Sequence, residues 1–238
     1  MATGIGLAAC NTVAPSPVVT RPPASVPDGT PVASPSLGTS AFVPAEDSPL
    51  GVELLESGFT AFPDDAGGFA SYGVVLRNPN TGWSVQRAEV TIDFLDATGT
   101  FIAGEEIAVT ILPGQTTAIA GQSSGAGSAA SMEVHPPEDA AAFVPRPPSG
   151  EEFGVAGIRT EAVAGQWLTT GELESRFETP QAFVQLVAIY RDAAGAIVGG
   201  GGGGVQAIAP GASVAFEIVD SSPYADVSAT DVYWQVAR

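Results

Sequence analysis

The residue types that usually carry catalysis are scarce in this chain. Among its 238 residues there is one histidine, His135, and no lysine. A Ser-His-Asp triad would need His135, the one histidine of the chain, as its base. We therefore predict that the protein is not an enzyme and that His135 is an exposed residue at a domain edge. A hydrolase that uses two converging carboxylates stays open, because no sequence pattern marks such a pair.

Acidic side chains dominate the charge. Twenty-six Asp and Glu face eight Arg, which gives a formal net charge of −18. Such a surface repels phosphate backbones, so we predict no binding to nucleic acid. The acids occur in scattered pairs such as Asp64-Asp65 and Glu105-Glu106, without the Asp-x-Asp-x-Asp spacing of a calcium loop. We predict neither a metal site nor a cofactor, and weak cation binding remains an alternative.

A run of six glycines is the most unusual local motif, and it comprises Gly199, Gly200, Gly201, Gly202, Gly203 and Gly204. Without a lysine it cannot form a phosphate-binding Walker loop. The run aligns with 103–108 of an earlier segment that reads as a strand, which predicts a weak edge strand. Its bare backbone groups are a candidate edge for a partner strand. The alternative is a flexible edge that binds nothing, because glycine strands are entropically poor.

The only cysteine follows a short apolar stretch. Leu7-Ala8-Ala9-Cys10 resembles the lipobox of bacterial lipoproteins, in which the cysteine receives a diacylglycerol group. Residues 1–9 have no basic region and a short apolar core, so we predict that they are part of a signal peptide. A chance match in an alanine-rich chain is the alternative. The lipobox reading predicts a membrane partner through the acyl chains at Cys10 and a place on the outer face of the cell membrane.

Residues 10–49 are predicted to form a lipidated tether. The stretch is rich in proline, serine and threonine and poor in large apolar residues. Proline removes backbone donors and favours extended geometry, so neither a helix nor a sheet can propagate. We predict a disordered spacer.

An internal repeat organises the rest of the chain. The segment 90–102 (VTIDFLDATGTFI) recurs as 186–198 (LVAIYRDAAGAIV), and each copy reads as strand, Asp-x-x-Gly turn and returning strand. A Pro-Gly turn follows in both copies, at Pro113-Gly114 and Pro210-Gly211, and each copy ends in another strand. Strands separated by turns at this spacing predict an all-β chain of two tandem immunoglobulin-like β-sandwiches, at 50–143 and 151–238. Asn78-Pro79-Asn80 fits an early hairpin of copy one.

The two copies differ on one face of the repeated strand. In copy one Val90, Ile92 and Phe94 alternate with Thr91 and Asp93, which predicts a strand with one face in solvent. The matching residues 186–190 are apolar on both faces. We expect a cover over the second face, by the first domain, by a loop or by a partner protein. The three tryptophans, Trp83, Trp167 and Trp234, are predicted to pack in the cores of the sandwiches.

Tandem hairpins with an aromatic residue, an Asp-x-x-Gly turn and a following Pro-Gly turn, behind a lipobox and a proline-rich tether, resemble the FxLYD-domain lipoproteins of high-GC Gram-positive bacteria. Copy one has Phe94-Leu95-Asp96 and copy two Tyr190-Arg191-Asp192, so the order of aromatic and aliphatic residues departs from the motif. The similarity covers most of 70–135 and 170–238. It implies an envelope module without a defined activity.

The sequence as a whole predicts a non-catalytic lipoprotein of the cell envelope that acts through contact with another, unknown envelope protein. The alternative is an extracytoplasmic protein that binds a cation or a cell-wall glycan.

Overall fold

The computed structural model of the protein describes residues 48–147 and 152–236, and all of these belong to one compact unit. Cys10, the predicted partial signal peptide and the predicted tether up to residue 47 lie outside the described residues. The described chain is built from β-strands, with one 3-10 turn at Ala140–Ala142. The predicted all-β class with immunoglobulin-like sandwiches is confirmed.

The described part of the chain forms thirteen strands. Those of the first sandwich are β1 (Glu53–Phe62), β2 (Phe69–Arg77), β3 (Trp83–Leu95), β4 (Phe101–Ile111), β5 (Thr116–Ser124), β6 (Ser131–His135) and β7 (Phe143–Pro145). Those of the second are β8 (Phe153–Val163), β9 (Gln166–Ser175), β10 (Gln181–Arg191), β11 (Ile197–Ile208), β12 (Ser213–Asp220) and β13 (Ala229–Val236).

Four antiparallel sheets result, and the two sandwiches share one topology. Sheet I has the order β4-β3-β6, with β7 also paired to β3, and sheet II has the order β1-β2-β5. Sheet III (β11-β10-β13) and sheet IV (β12-β9-β8) repeat these connections in the second half of the chain. The internal repeat is therefore a repeat of a whole sandwich.

The sheets stack in the order I, II, III, IV. One buried cluster joins sheets I and II, another joins sheets III and IV, and a third lies between sheets II and III. In the first cluster Val90, Ile92 and Phe94 are fully buried, as their alternation predicts. The three tryptophans also pack against the sandwich cores.

The repeated Asp-x-x-Gly turns have the predicted chemistry. The Asp96 carboxylate accepts hydrogen bonds from the amides of Thr98 and Thr100 at 2.8 and 3.0 Å. Asp192 does the same for Ala194 and Ala196, both at 2.9 Å. The glycine of each turn has positive φ, 81° and 83°, which a residue with a Cβ rarely adopts.

The prediction of a hairpin at Asn78-Pro79-Asn80 is wrong. The segment joins β2 of sheet II to β3 of sheet I, which do not pair. Asn78 is fully buried, and its amide donates to the carbonyls of Trp83, Ile111 and Leu112 at 2.7–3.3 Å. The asparagine thus stabilises a crossing between sheets, where three backbone carbonyls of two chain segments converge.

In the described part of the chain, no helix has the length and apolar character that crossing a membrane would require.

Candidate functional site

The layer between sheets II and III is the part of the structure that sets the relation between the two sandwiches. Its apolar core consists of Val75, Ala118, Val187, Ile189 and Ile197, all at most 8% exposed. Val187 and Ile189 belong to β10, whose other face fills the core of the second sandwich. The second apolar face of β10 is therefore covered by sheet II of the first sandwich, which is one of the covers that the sequence predicts.

The copies differ here as the sequence predicts. Thr91 and Asp93 of β3 occupy the positions that Val187 and Ile189 occupy in β10. They are half-buried, on the side of sheet I that faces away from the core, where His135 lies 3.4 Å from Asp93 and is exposed. Polar residues suit a face in water and apolar residues suit a face under another sheet.

The glycine run lies in β11, which forms the outer strand of sheet III. Gly199, Gly200 and Gly201 are buried, whereas Gly202 and Gly204 are exposed. A Cβ added to Gly200 would stand 2.3 Å from the carbonyl oxygen of Ala188 and 2.7 Å from Cβ of Ala120 in sheet II. The absence of side chains lets β11 lie directly against sheet II.

The other side of the same strand approaches β12. A Cβ at Gly203 would come within 2.8 Å of the Ile218 side chain, and one at Gly201 within 3.2 Å of Asp220. The idea that this run receives a partner strand stays a prediction. The structure adds that half of the run is already packed inside the protein.

Adding a methyl group to Gly200 is expected to destabilise the protein, whereas the same change at Gly202 is not. Gly200→Ala forces backbone to move and should lower the free energy of unfolding by about 1–3 kcal/mol. Gly202 has nothing within 4 Å of the added atom, so Gly202→Ala should be neutral or stabilising by up to about 1 kcal/mol. Urea unfolding of the two variants measures the difference, and equal stabilities would contradict the packing role of the run.

Side chains from each sandwich also cap backbone carbonyls of the other. Gln115 donates to the carbonyl of Trp234 at 2.8 Å, and the hydroxyl of Thr117 donates to the same oxygen at 3.3 Å. In return, Gln235 donates to the carbonyl of Ala118 at 2.7 Å. Since β5 and β13 are edge strands, these bonds satisfy backbone groups that a sheet edge otherwise leaves open.

A buried polar network lies beside the glycine run. The carboxylate of Asp220, 5% exposed, accepts from the amide and hydroxyl of Ser222, both at 2.8 Å, and from the hydroxyl of Tyr224 at 2.7 Å. The Tyr224 hydroxyl also contacts the hydroxyl of Ser71 in sheet II. Burial, and next the charge of Asp220, raise the pKa of Tyr224 well above its ordinary range. The network ties the second sandwich to the first through neutral hydroxyls around one carboxylate.

Arg191 makes the main ionic contact across the interface. Its guanidinium donates to Glu56 of β1 at 2.6 Å and to Asp231 of β13 at 2.7 Å. The hydrogen bond to Glu56 is the largest cause of a raised pKa for this arginine. In copy one the matching residue is Leu95, so the departure from the aromatic-aliphatic motif supplies an inter-sandwich ion pair.

Arg191→Leu, which installs the residue of copy one, is expected to lower the free energy of unfolding by about 1–2 kcal/mol. The two carboxylates that lose their partner are about half-exposed, so water replaces part of the interaction. Salt screens the pair, and the difference from the wild type should therefore shrink between 0.1 and 1 M NaCl, as the Debye length falls from ~10 Å to ~3 Å. A difference that is independent of salt would show that packing, and not charge, is lost.

Buried tyrosines predict sensitivity to high pH. Burial raises the pKa of Tyr190 from 10.0 to about 12, although a hydrogen bond from Thr169 partly opposes this. The folded state favours the neutral phenol, so this stabilisation is complete below pH 10 and is lost as the pH rises towards 12. At about 1.4 kcal/mol per unit, Tyr190 contributes ~2–3 kcal/mol to this loss. Chemical unfolding at pH 9 and 11 should show a smaller loss in Tyr190→Phe, and an equal loss would contradict the assignment.

The described residues contain no group of three or more His, Cys, Asp or Glu side chains placed to hold a metal ion. The side chains of Glu105 and Glu106 lie on opposite faces of sheet I. Glu105 pairs with Ile92 on the core face, and Glu106 pairs with Thr91 on the outer face.

Comparisons with known proteins give little similarity. No protein-family model matches the chain, and a search of curated proteins finds no match. Among solved structures, the crystal structure of red sea bream transglutaminase is similar over 77% of this chain, at 12% identity and a TM-score of 0.21. The matched region is 31% of that enzyme. A similarity at this level supports no argument about fold or activity.

Sequence reasoning found the doubly covered strand but not the residues that join the sandwiches. Asp220, Tyr224 and Gln235 carry no motif, and each gains its role from a neighbour in the other sandwich that is 98 to 153 residues away along the chain. The signal for Arg191 was present as a break in the repeat, where a charged residue replaces Leu95 beside an apolar strand.

Proposed function

We propose that this protein is a non-catalytic lipoprotein of the cell envelope. On this proposal it is held on the outer face of the membrane by acyl chains on Cys10, and it presents two immunoglobulin-like sandwiches to another envelope protein. The resemblance to FxLYD-domain lipoproteins belongs to the same proposal, and the two matched Asp-x-x-Gly turns support it.

The observation that carries the proposal is the fixed joint between the sandwiches. An apolar layer, reciprocal carbonyl caps, a buried carboxylate network and an ion pair all cross it. Independent domains on one chain usually share smaller, more polar contacts and move relative to each other. An interface of this kind holds the two sandwiches in one relative orientation. A partner could then contact surfaces of both sandwiches at once.

The proposed membrane location is tested by expressing the protein in a high-GC Gram-positive host. The wild-type full chain should carry a diacylglycerol mass at Cys10 and sediment with membranes. A Cys10→Ser variant should be released into the soluble fraction. An unmodified Cys10 in the wild type would remove the anchor from the proposal while leaving the fold unaffected.

The contact function is tested by chemical cross-linking in intact cells that express the anchored full chain. A reproducible cross-linked envelope protein that is lost in a folded variant with a weakened joint, such as Arg191→Leu, supports the proposal. The ligand-binding alternative predicts a different result, because calcium or cell-wall fragments would then raise the melting temperature of the purified protein by mass action. A ligand-dependent shift without any cross-linked partner would favour that alternative.

A further inference from the structure

The two sandwiches meet through one pair of stacked sheet faces. The outer face of sheet II is covered by the outer face of sheet III. In the repeat, sheet IV is the counterpart of sheet II, and sheet I is the counterpart of sheet III. Sheets I and IV end the stack in the described part of the chain. A second copy of the chain that followed the geometry of the joint would therefore lay its sheet I on sheet IV.

The covered face of sheet II has very small side chains along one row. Gly58, Gly73 and Ala120 are neighbours across β1, β2 and β5. A Cβ at Gly58 would collide with the carbonyl oxygen of Ile197, and one at Gly73 would stand 2.8 Å from the side chain of Ile189. The backbone of sheet II is thus bare where β10 and β11 approach it.

Sheet IV has larger, mostly charged side chains in the matching row. Arg159, Thr170 and Glu217 are neighbours across β8, β9 and β12. The Pro-Gly turns before β5 and β12 set the match, which places Glu217 at the position of Ala120. Arg159 and Glu217 are exposed. A sheet that approached this face would have to bury their charges, which is costly unless each charge finds a partner.

The neighbouring rows of sheet IV also lack what the joint uses. Glu172 is exposed and stands where sheet II has Val75 of the apolar layer. Leu168 and Val219 pair with each other at the positions where sheet II has two polar residues that contact the buried carboxylate network. The outer face of sheet IV therefore reproduces neither the apolar nor the polar contacts of sheet II.

Sheet I differs from sheet III in the same sense. Thr91 and Asp93 stand at the positions of two apolar residues of the joint, and the exposed Glu106 and Glu133 are their neighbours on β4 and β6. Phe101, which is 58% exposed, extends its ring over the backbone of an adjacent glycine in β4. Charge and bulk thus cover the face that in sheet III is flat and apolar.

A head-to-tail contact between two copies would bring like charges together. Asp93, Glu106 and Glu133 of one copy would face Glu172 and Glu217 of the other, and the single arginine of these rows does not balance them. Like charges that are brought together in an interface repel each other, and each loses hydration. Terminal units of stacked repeat proteins need a polar outer face for solubility, and both ends of this stack have one.

We propose that the outer faces of sheets I and IV are the closed ends of a two-unit stack. Their charged side chains prevent a second copy of the chain from adding head to tail, so the protein is a monomer. A second copy is the partner that these faces would fit if they carried the side chains of the joint. The inference concerns self-association and does not depend on the proposed place in the envelope.

The test gives each end face the side chains of the joint, in the full chain. The sheet I variant carries Thr91→Val, Asp93→Ile and Phe101→Ile. The sheet IV variant carries Arg159→Gly, Thr170→Gly, Glu172→Val and Glu217→Ala. Sedimentation velocity of either variant alone should show a monomer, because its other end face is unchanged. An equimolar mixture should show a species of about twice the mass, since the contact joins two different faces.

Controls use the wild type and the reverse exchange. The wild type should be a monomer alone and when mixed with either variant. Ala120→Glu places the residue of sheet IV inside the joint and should lower the equilibrium constant for folding at least about tenfold. Glu217→Ala, at the matching exposed position, should change that constant by less than about threefold. Circular dichroism and urea unfolding establish that each variant folds and measure both constants.

Any of three results would contradict the closed ends. They are a wild type that dimerises, two folded variants that stay monomeric when mixed, and an Ala120→Glu protein that is as stable as Glu217→Ala. If either multiple variant fails to fold, the comparison of Ala120→Glu with Glu217→Ala decides, because a chain unfolded by Ala120→Glu counts as the expected loss.

Discussion

Replacing Ile189 with aspartate is expected to cost more than about 4 kcal/mol of the free energy of unfolding. Ile189 is fully buried between sheets II and III. The change removes an apolar side chain, which alone costs ~2–5 kcal/mol, and places an unpaired carboxylate in its site. Urea unfolding followed by tryptophan fluorescence measures the loss, and hydrogen exchange should show lost protection in β10 and β11 before β3 and β4.

Two control variants test whether the expected loss of stability comes from burial of a carboxylate between sheets II and III. Ile189→Val keeps the chemistry and should cost only about 0.5–1.5 kcal/mol. Asp93→Ile makes the reverse exchange at the matching position of copy one, where the strand faces solvent, and should change stability by less than about 1 kcal/mol. If Ile189→Asp were as mild as Asp93→Ile, the two sandwiches would not be joined through this layer.

The second large effect is expected for Asp220→Ala. The carboxylate accepts from one amide and two hydroxyls of Ser222 and Tyr224, and all of these donors are buried. Without the acceptor the buried amide of Ser222 loses its partner, and the hydroxyls of Ser222 and Tyr224 keep only their contacts to Gln122 and Ser71, so we expect a loss of about 3–5 kcal/mol. Thermal and urea unfolding measure it.

The matched control is Asp226→Ala in the loop that follows β12. Asp226 is exposed and accepts from the exposed hydroxyl of Ser228 at 2.9 Å, so the expected change is within about 0.5 kcal/mol. Tyr224→Phe should give an intermediate loss, because it removes the contact to Ser71 but leaves Asp220 bonded to Ser222. Equal stability of Asp220→Ala and Asp226→Ala would show that the network does not hold the joint.

These variants bear on function through rigidity. If the protein works by presenting two sandwiches in one geometry, a variant that loosens the joint should lose its partner at temperatures where each sandwich is still folded.

The sequence by itself determined the elements that depend on neighbours along the chain. The Asp-x-x-Gly turns follow from hydrogen bonds between residues two to four positions apart, and the strand faces follow from the alternation of Val90, Ile92 and Phe94. The duplication showed that two sandwiches exist. The second apolar face of β10 showed that something covers it.

Only the tertiary structure decided what covers that face and what the glycine run does. Cover by the first sandwich, the close approach of Gly200 to Ala120, and the caps formed by Gln115 and Gln235 all join residues far apart in the chain. Asn78-Pro79-Asn80 has the composition of a hairpin turn, yet it connects two different sheets. Turn chemistry fixes local geometry, whereas the choice of partner strand depends on the packing of whole sheets.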